Sequence, residues 1–223
     1  VPPDTAETQV DSFVVQTYHK AVPRRVDHDA RQRQITEAVC RITLRGGLGA
    51  ATFRQIATEA GMSVRNVQYY FGTKAHLLAI TQQHVGERSI ARLSRWIAAT
   101  DGSPKAVLGA FLKSFIPSDE ESRVAMLMYI ALAAENAVGD SPAAAGHRGQ
   151  TEIQMMLTMA AEQITRGATP GINPETEAAA ITAMMPGLGN FVLDGTMTAA
   201  EVYLVIDYQL DRLFAEVPAK EKS

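Results

Sequence analysis

Apolar residues recur along the chain at helical rather than strand spacing. Ile35, Ala38, Val39 and Ile42 fall at i, i+3, i+4 and i+7, and so do Ile153, Met156, Leu157 and Ala160, and Ile181, Met184, Met185 and Leu188. Period-2 alternation of β-branched and aromatic residues is nowhere sustained, which argues against a sheet. Start signals precede several of these runs. Ser103-Pro104 and Asn173-Pro174 each offer an N-cap followed by proline at the first helical position, while Ser118 with Glu121 and Thr198 with Glu201 have capping-box spacing. The pattern predicts an all-α chain of about nine helices, near 30–45, 53–60, 64–70, 74–99, 104–116, 119–138, 149–166, 174–193 and 199–215. Residues 1–27 read as a mobile arm, 139–148 as a loop rich in Gly, Ser and Pro, and Pro186 as a kink inside the eighth helix.

One stretch carries a more specific pattern. A short helix from Phe53, apolar at Ile56, Ala57 and Ala60, meets Gly61-Met62-Ser63, and a second short helix opens at Val64. Two short helices around a glycine-containing turn make a helix-turn-helix. Gly61 can adopt the positive φ of such a turn, and Ser63 can cap the second helix. That helix carries Arg65, Asn66, Gln68 and Tyr69, side chains of the kind that read base edges in a major groove. Lys74 opens the next helix, whose free N–H groups favour phosphate.

Ile35, Ala38, Gly46, Thr52, Ile56-Ala57, Ala60-Gly61, Ser63, Tyr70-Phe71, Lys74 and Leu77-Leu78 together resemble the TetR family of bacterial transcriptional regulators. Beyond residue 100 the helical layout is loosely similar to the BetI-type branch of that family. The resemblance implies a three-helix DNA-binding domain over 28–78 and a larger domain over 79–223 that dimerises and binds a small effector. It makes Thr52, Arg54, Ser63, Arg65, Asn66, Gln68, Tyr69, Tyr70 and Lys74 the expected DNA contacts. Gln68 replaces the tyrosine usual in the family's recognition helix, and Arg65 replaces a small residue, so no base preference carries over.

Charge supports this division. The net charge of −3 hides +7 over residues 24–100, from twelve Arg or Lys against five acids, and −8 over residues 101–223, from eight against sixteen. A basic first half suits a polyanionic partner, here a double-stranded DNA operator. Arg24 and Arg25 in the arm are candidates for a minor groove or for a solvated tail.

The acidic half is rich in methionine: Met126, Met128, Met155, Met156, Met159, Met184 and Met185. Adaptable thioethers suit either ordinary core filling or an accommodating cavity for a small, largely apolar effector. Phe111, Phe115 and Tyr129 are the expected aromatic walls, Met126, Met155 and Met159 the lining, and Glu135, Gln163 or Asn190 the polar anchors. The last two helices carry small residues (Ala178, Ala179, Ala180, Ala183, Gly187, Gly189) and a stripe at Val202, Ile206, Leu210, Leu213 and Val217. Helices 174–193 and 199–215 are therefore the expected homodimer interface, with packing inside one subunit as the alternative.

Enzyme and metal readings find little support. The five histidines form no ligand pattern, Cys40 lies among apolar helix positions as a small hydrophobe, and Gly46-Gly47-Leu48-Gly49 closes a helix rather than opening one after a strand. No metal, cofactor or catalytic residue is expected. The longest apolar run, 124–134, falls short of the roughly 20 residues of a membrane span. With one cysteine and no signal-peptide core beyond Phe13-Val14-Val15, a cytoplasmic location is expected. The two readings set against an effector-responsive repressor are a DNA-binding dimer with no effector and an enzyme using the C-terminal cavity.

Overall fold

The computed structural model describes residues 24–138 and 148–215. It is all helical there: α1 (Arg24–Gly46), α2 (Phe53–Glu59), α3 (Val64–Phe71), α4 (Lys74–Ala98), α5 (Pro104–Ser114), α6 (Glu120–Val138), α7 (Arg148–Gly167), α8 (Pro174–Leu193) and α9 (Ala199–Leu213), with a 3-10 turn at Leu48–Ala50. Arg24 and Arg25, expected in an arm, lie in helix α1. No glycine or proline lies between Arg24 and Gly46 to stop the helix sooner. Residues 1–23 of the expected arm, and the loop residues 139–147, lie outside the described residues. Helix α8 runs through Pro186 to Leu193.

Ser103, Asn173 and Thr198 cap their helices as expected, the last in a reciprocal box with Glu201. The box at the start of α6 is shifted by one residue. Asp119, not Ser118, accepts the Ser122 N–H at 2.8 Å, and the Ser122 hydroxyl accepts the Asp119 N–H at 3.1 Å. Ser118 is occupied elsewhere, because its Oγ accepts a hydrogen bond from Arg92 at 3.0 Å.

Two apolar cores divide the described residues. The first gathers Ile35, Val39 and Ile42 of α1, Ile56 and Ala57 of α2, Val67 and Phe71 of α3, and Leu77, Leu78 and Val85 of α4. The second joins Leu108, Phe111 and Leu112 of α5, Ile164 of α7, Ile181, Met185 and Leu188 of α8, and Val202, Ile206 and Leu210 of α9. Helix α6 belongs to both neighbourhoods. Its Val124 and Met128, one turn apart, enter the first core. Met126 points the opposite way and closes over Gly189 of α8, with its Sδ 3.1 Å from where a Cβ on that glycine would lie.

A buried arginine pins α6 to α4. Arg92 is 5% exposed, donates to both Asp119 carboxylate oxygens at 2.7 and 2.6 Å, and holds its guanidinium 5.2 Å above the Trp96 ring. Although partial burial works against the charged form, hydrogen bonds from the Ser122 backbone and side chain and from Arg92 hold the Asp119 carboxyl below the usual carboxylate range. Trp96 in turn meets Tyr203 of α9 edge to face at 6.3 Å, so the clamp continues into the second core.

Candidate nucleic-acid interface

The turn between α2 and α3 is built from three local devices. Thr52 caps α2, its hydroxyl accepting the Gln55 N–H. At the other end Gly61 has φ 62°, the Met62 N–H reaches the Ala57 carbonyl at 2.8 Å, and the Gly61 N–H reaches that of Thr58 at 3.1 Å. This is a Schellman closure, and glycine is the residue that takes the left-handed conformation without strain. Ser63 then caps α3 by accepting the Asn66 N–H at 3.1 Å. The sequence therefore fixes where α3 starts and in which direction it leaves the turn.

Burial of Val67 and Phe71 fixes the rotation of α3 about its axis. Arg65, Asn66, Gln68 and Tyr69 are all exposed, Tyr69 at 81%. Tyr70 is half-buried against the first core, and its ring lies 5.4 Å from Tyr69 and 4.9 Å from His28 of α1. Arg54 and Lys74 are exposed at the ends of the motif. Thr73, which the sequence reading passed over, caps α4 by accepting the His76 N–H at 3.1 Å and so sets the N-terminus beside Lys74. A threonine directly before a lysine-led helix was its available signal. His28 had none, since its contact with Tyr70 is purely tertiary.

Not every cation in the basic half is displayed. Glu59, at the end of α2, pairs with Arg41 at 2.6 Å and with Arg45, and these two hydrogen bonds, that from Arg45 foremost, hold its carboxyl below the usual range. Arg88 pairs with Glu121, and Arg92 with Asp119. The side chains of Arg54, Arg65 and Lys74 make no ion pair or hydrogen bond among the described residues. Three of the side chains left unpaired in the basic half thus lie within or next to the helix-turn-helix.

Residues 35–79 match the sequence pattern of the bacterial regulatory proteins of the tetR family, and residues 104–215 match the C-terminal domain of BetI-type transcriptional repressors. The chain belongs to the TetR family. Among similar proteins, the HTH-type transcriptional regulator PksA of Bacillus subtilis is 35% identical over 113 residues, 51% of this chain and 55% of that protein. The regulator BetI of Burkholderia thailandensis is 29% identical over 110 residues, 49% and 56% of the two chains. The chain spans about half the length of the curated relatives it matches. A transcriptional regulator from Rhodococcus sp. RHA1 shares the fold with a TM-score of 0.71 at 24% identity, over 84% of this chain and 99% of that one. So does a regulator from Saccharomonospora viridis in complex with choline, with a TM-score of 0.73 at 18% identity, over 85% and 99%.

In this TetR-family chain the residues expected around an effector fall into two groups. Phe111 and Phe115 form an edge-to-face pair at 5.0 Å, Met159 packs against the same core, and Gln163 is 7% exposed beside it. Met126 is buried over Gly189. Met155, by contrast, is 61% exposed, because the inner face of α7 is the one that carries Met156, Ala160 and Ile164. Tyr129 and Asn190 are also exposed, Asn190 reaching Asp194 at 3.4 Å, so these three do not line the interior of a single chain. The side chain of Glu135 lies outside the described residues.

The stripe expected at the subunit interface faces the chain's own interior, the alternative set against that expectation. Val202, Ile206, Leu210 and Leu213 are buried in the chain's own second core, as is Ala178, and Gly189 is buried against Met126. The outward face of α9 instead shows Leu204 and Tyr208, and that of α8 shows Ala179, Ala180, Ala183, Gly187 and Phe191. Val217 lies outside the described residues. Cys40 is largely buried, and burial pushes its thiol up to about 11, in keeping with a small hydrophobe. Among the described residues no cluster of ligating side chains could hold a metal, and no helix is long and apolar enough to cross a membrane.

Proposed function

We propose that the protein is a transcriptional repressor that binds a palindromic operator as a homodimer and releases it when a small, largely apolar effector binds. The observation that carries this reading is α3 itself. It is capped at its start, oriented by Val67 and Phe71, and displays Arg65, Asn66, Gln68 and Tyr69 with the unpaired cations Arg54 and Lys74 around it. Such an array suits entry into a major groove, with base edges read from the helix and phosphates held from its margins.

Two such heads must stand about 34–36 Å apart to enter successive grooves on one face of the duplex. The outward faces of α8 and α9 offer the dimer contact, since small side chains on α8 allow close approach and Leu204, Tyr208 and Phe191 supply apolar area. An effector bound beside Phe111, Phe115, Met159 and Gln163 would press on α8, and Gly189 passes that displacement to Met126 of α6. Because α6 also enters the first core, the heads would move. The similar structure in complex with choline gives a precedent for a small ligand in this architecture. Effector and operator then weaken each other's binding reciprocally, as linkage requires.

The test is binding-site selection from a random duplex pool, followed by titration at increasing salt. The expected result is enrichment of an inverted repeat and an affinity that falls steeply, with a log–log slope of about −0.9 per phosphate contact. No enrichment, or a flat salt response, would refute the reading. A thermal-shift screen of small metabolites, each hit then tested for operator release, addresses the effector.

A further inference from the structure

The orientation of α3 separates its displayed residues into a ridge and two flanks. With Val67 and Phe71 facing the core, Arg65 and Tyr69 lie close to the diametrically opposite direction, given about 100° per residue, while Asn66 and Gln68 stand to either side. Arg65 and Tyr69 are four positions apart, hence neighbours on one line along the helix, about 6 Å apart in rise. The rise of one base pair is about 3.4 Å along the duplex axis and the groove slants across that axis, so two groups on this ridge meet base pairs about one to two steps apart.

The chemistry of the two side chains then selects the bases. The Arg65 side chain makes no ion pair or hydrogen bond among the described residues, so its guanidinium is available as a planar fork, and the partner that matches a fork in the major groove is the O6/N7 edge of guanine. Tyr69 presents an aromatic ring held edge on to Tyr70, which limits its swing. Its apolar face suits the one apolar group on the groove floor, the C5 methyl of thymine.

We propose that Arg65 and Tyr69 are the specificity-determining pair of this protein, and that each operator half-site holds a G·C pair and, about one to two base pairs away, a T·A pair, read through guanine O6/N7 and the thymine methyl. Asn66 and Gln68 meet the groove walls and contribute less discrimination. This inference rests on the DNA-binding reading above.

The experiment uses the full chain and the half-site that selection yields. Duplexes carry 7-deazaguanine in place of the guanine, which removes N7, or uracil in place of the thymine, which removes only the methyl. Wild type should lose about ten-fold in affinity on the first, part of what a full bidentate contact gives, and about four-fold on the second, the value of one methyl group. Arg65→Ala should be indifferent to 7-deazaguanine yet keep the uracil penalty, and Tyr69→Ala the reverse. Tyr69→Phe should behave as wild type. Both side chains are exposed, so an unchanged circular dichroism spectrum and melting point certify each variant. If Arg65→Ala keeps the full 7-deazaguanine penalty, or the selected half-site lacks the G and T at this spacing, the pair is wrong. If Tyr69→Phe weakens every sequence equally while uracil is silent, the tyrosine holds a phosphate and the thymine assignment falls. Failure to enrich any sequence would instead overturn DNA binding itself.

Discussion

Replacing Gly189 by alanine tests the contact through which α8 touches α6. In an otherwise open helix position this change favours folding by about 0.5–1 kcal/mol, because alanine loses less backbone entropy. Here the added Cβ falls 3.1 Å from the Met126 Sδ and inside contact distance of its Cε. Met126 is 6% exposed, so its thioether has little free space to yield into, and overpacking of this kind costs about 1–3 kcal/mol. The net expectation is a loss of between about 0 and 2.5 kcal/mol. In a Met126→Ala background the obstruction is gone, and the same Gly189→Ala change should stabilise by about 0.5–1 kcal/mol. Urea unfolding of all four proteins measures this, at one protein concentration because association shifts the midpoint. An identical effect of Gly189→Ala in both backgrounds would refute the contact.

Three further outcomes are expected. Gly61→Ala forces a side chain into φ 62°, and should lower stability by about 1 kcal/mol in denaturant titration and weaken operator binding by misaiming α3. Asp119→Asn leaves Arg92 without its counter-charge and should cost about 1–2 kcal/mol at neutral pH, less than a fully buried pair because Asp119 is 54% exposed. Because its folded pKa is depressed, the wild-type advantage is present above the ordinary carboxylate value of 3.8 and disappears as pH falls through the lower folded value, so the two unfolding midpoints should converge in acid. Leu204→Glu with Tyr208→Glu should yield monomers in sedimentation analysis and abolish tight operator binding while leaving the second core, which neither residue enters, intact.

Local signals in the chain were readable where the physics is local. Caps at Ser103, Asn173 and Thr198 and the turn at Gly61 depend on oxygens and backbone angles within a few residues, and the sequence shows them directly. At the start of α6 two overlapping spacings compete, Ser118 with Glu121 and Asp119 with Ser122. Arg92, some 26 positions earlier, decides between them by engaging Ser118 and Asp119 together. Periodicity likewise showed that Val202, Ile206 and Leu210 share a face of α9, yet it cannot say whether that face meets its own subunit or another. Summed charge misled in a similar way. Glu59 quenches two arginines that lie 18 and 14 residues away, which reading along the chain does not reveal.

The double membership of α6 also bears on how the protein comes apart. A chain with two separate cores ordinarily melts in two steps, each core losing order at its own temperature. Here Val124 and Met128 complete one core from the same helix whose Met126 covers α8 at the edge of the other. Opening either core strips α6 of the packing on one of its faces, and the loss is felt at once by its neighbour. The two halves should therefore unfold as one cooperative unit, so that a lesion in the effector half lowers the melting temperature of the reading head as well.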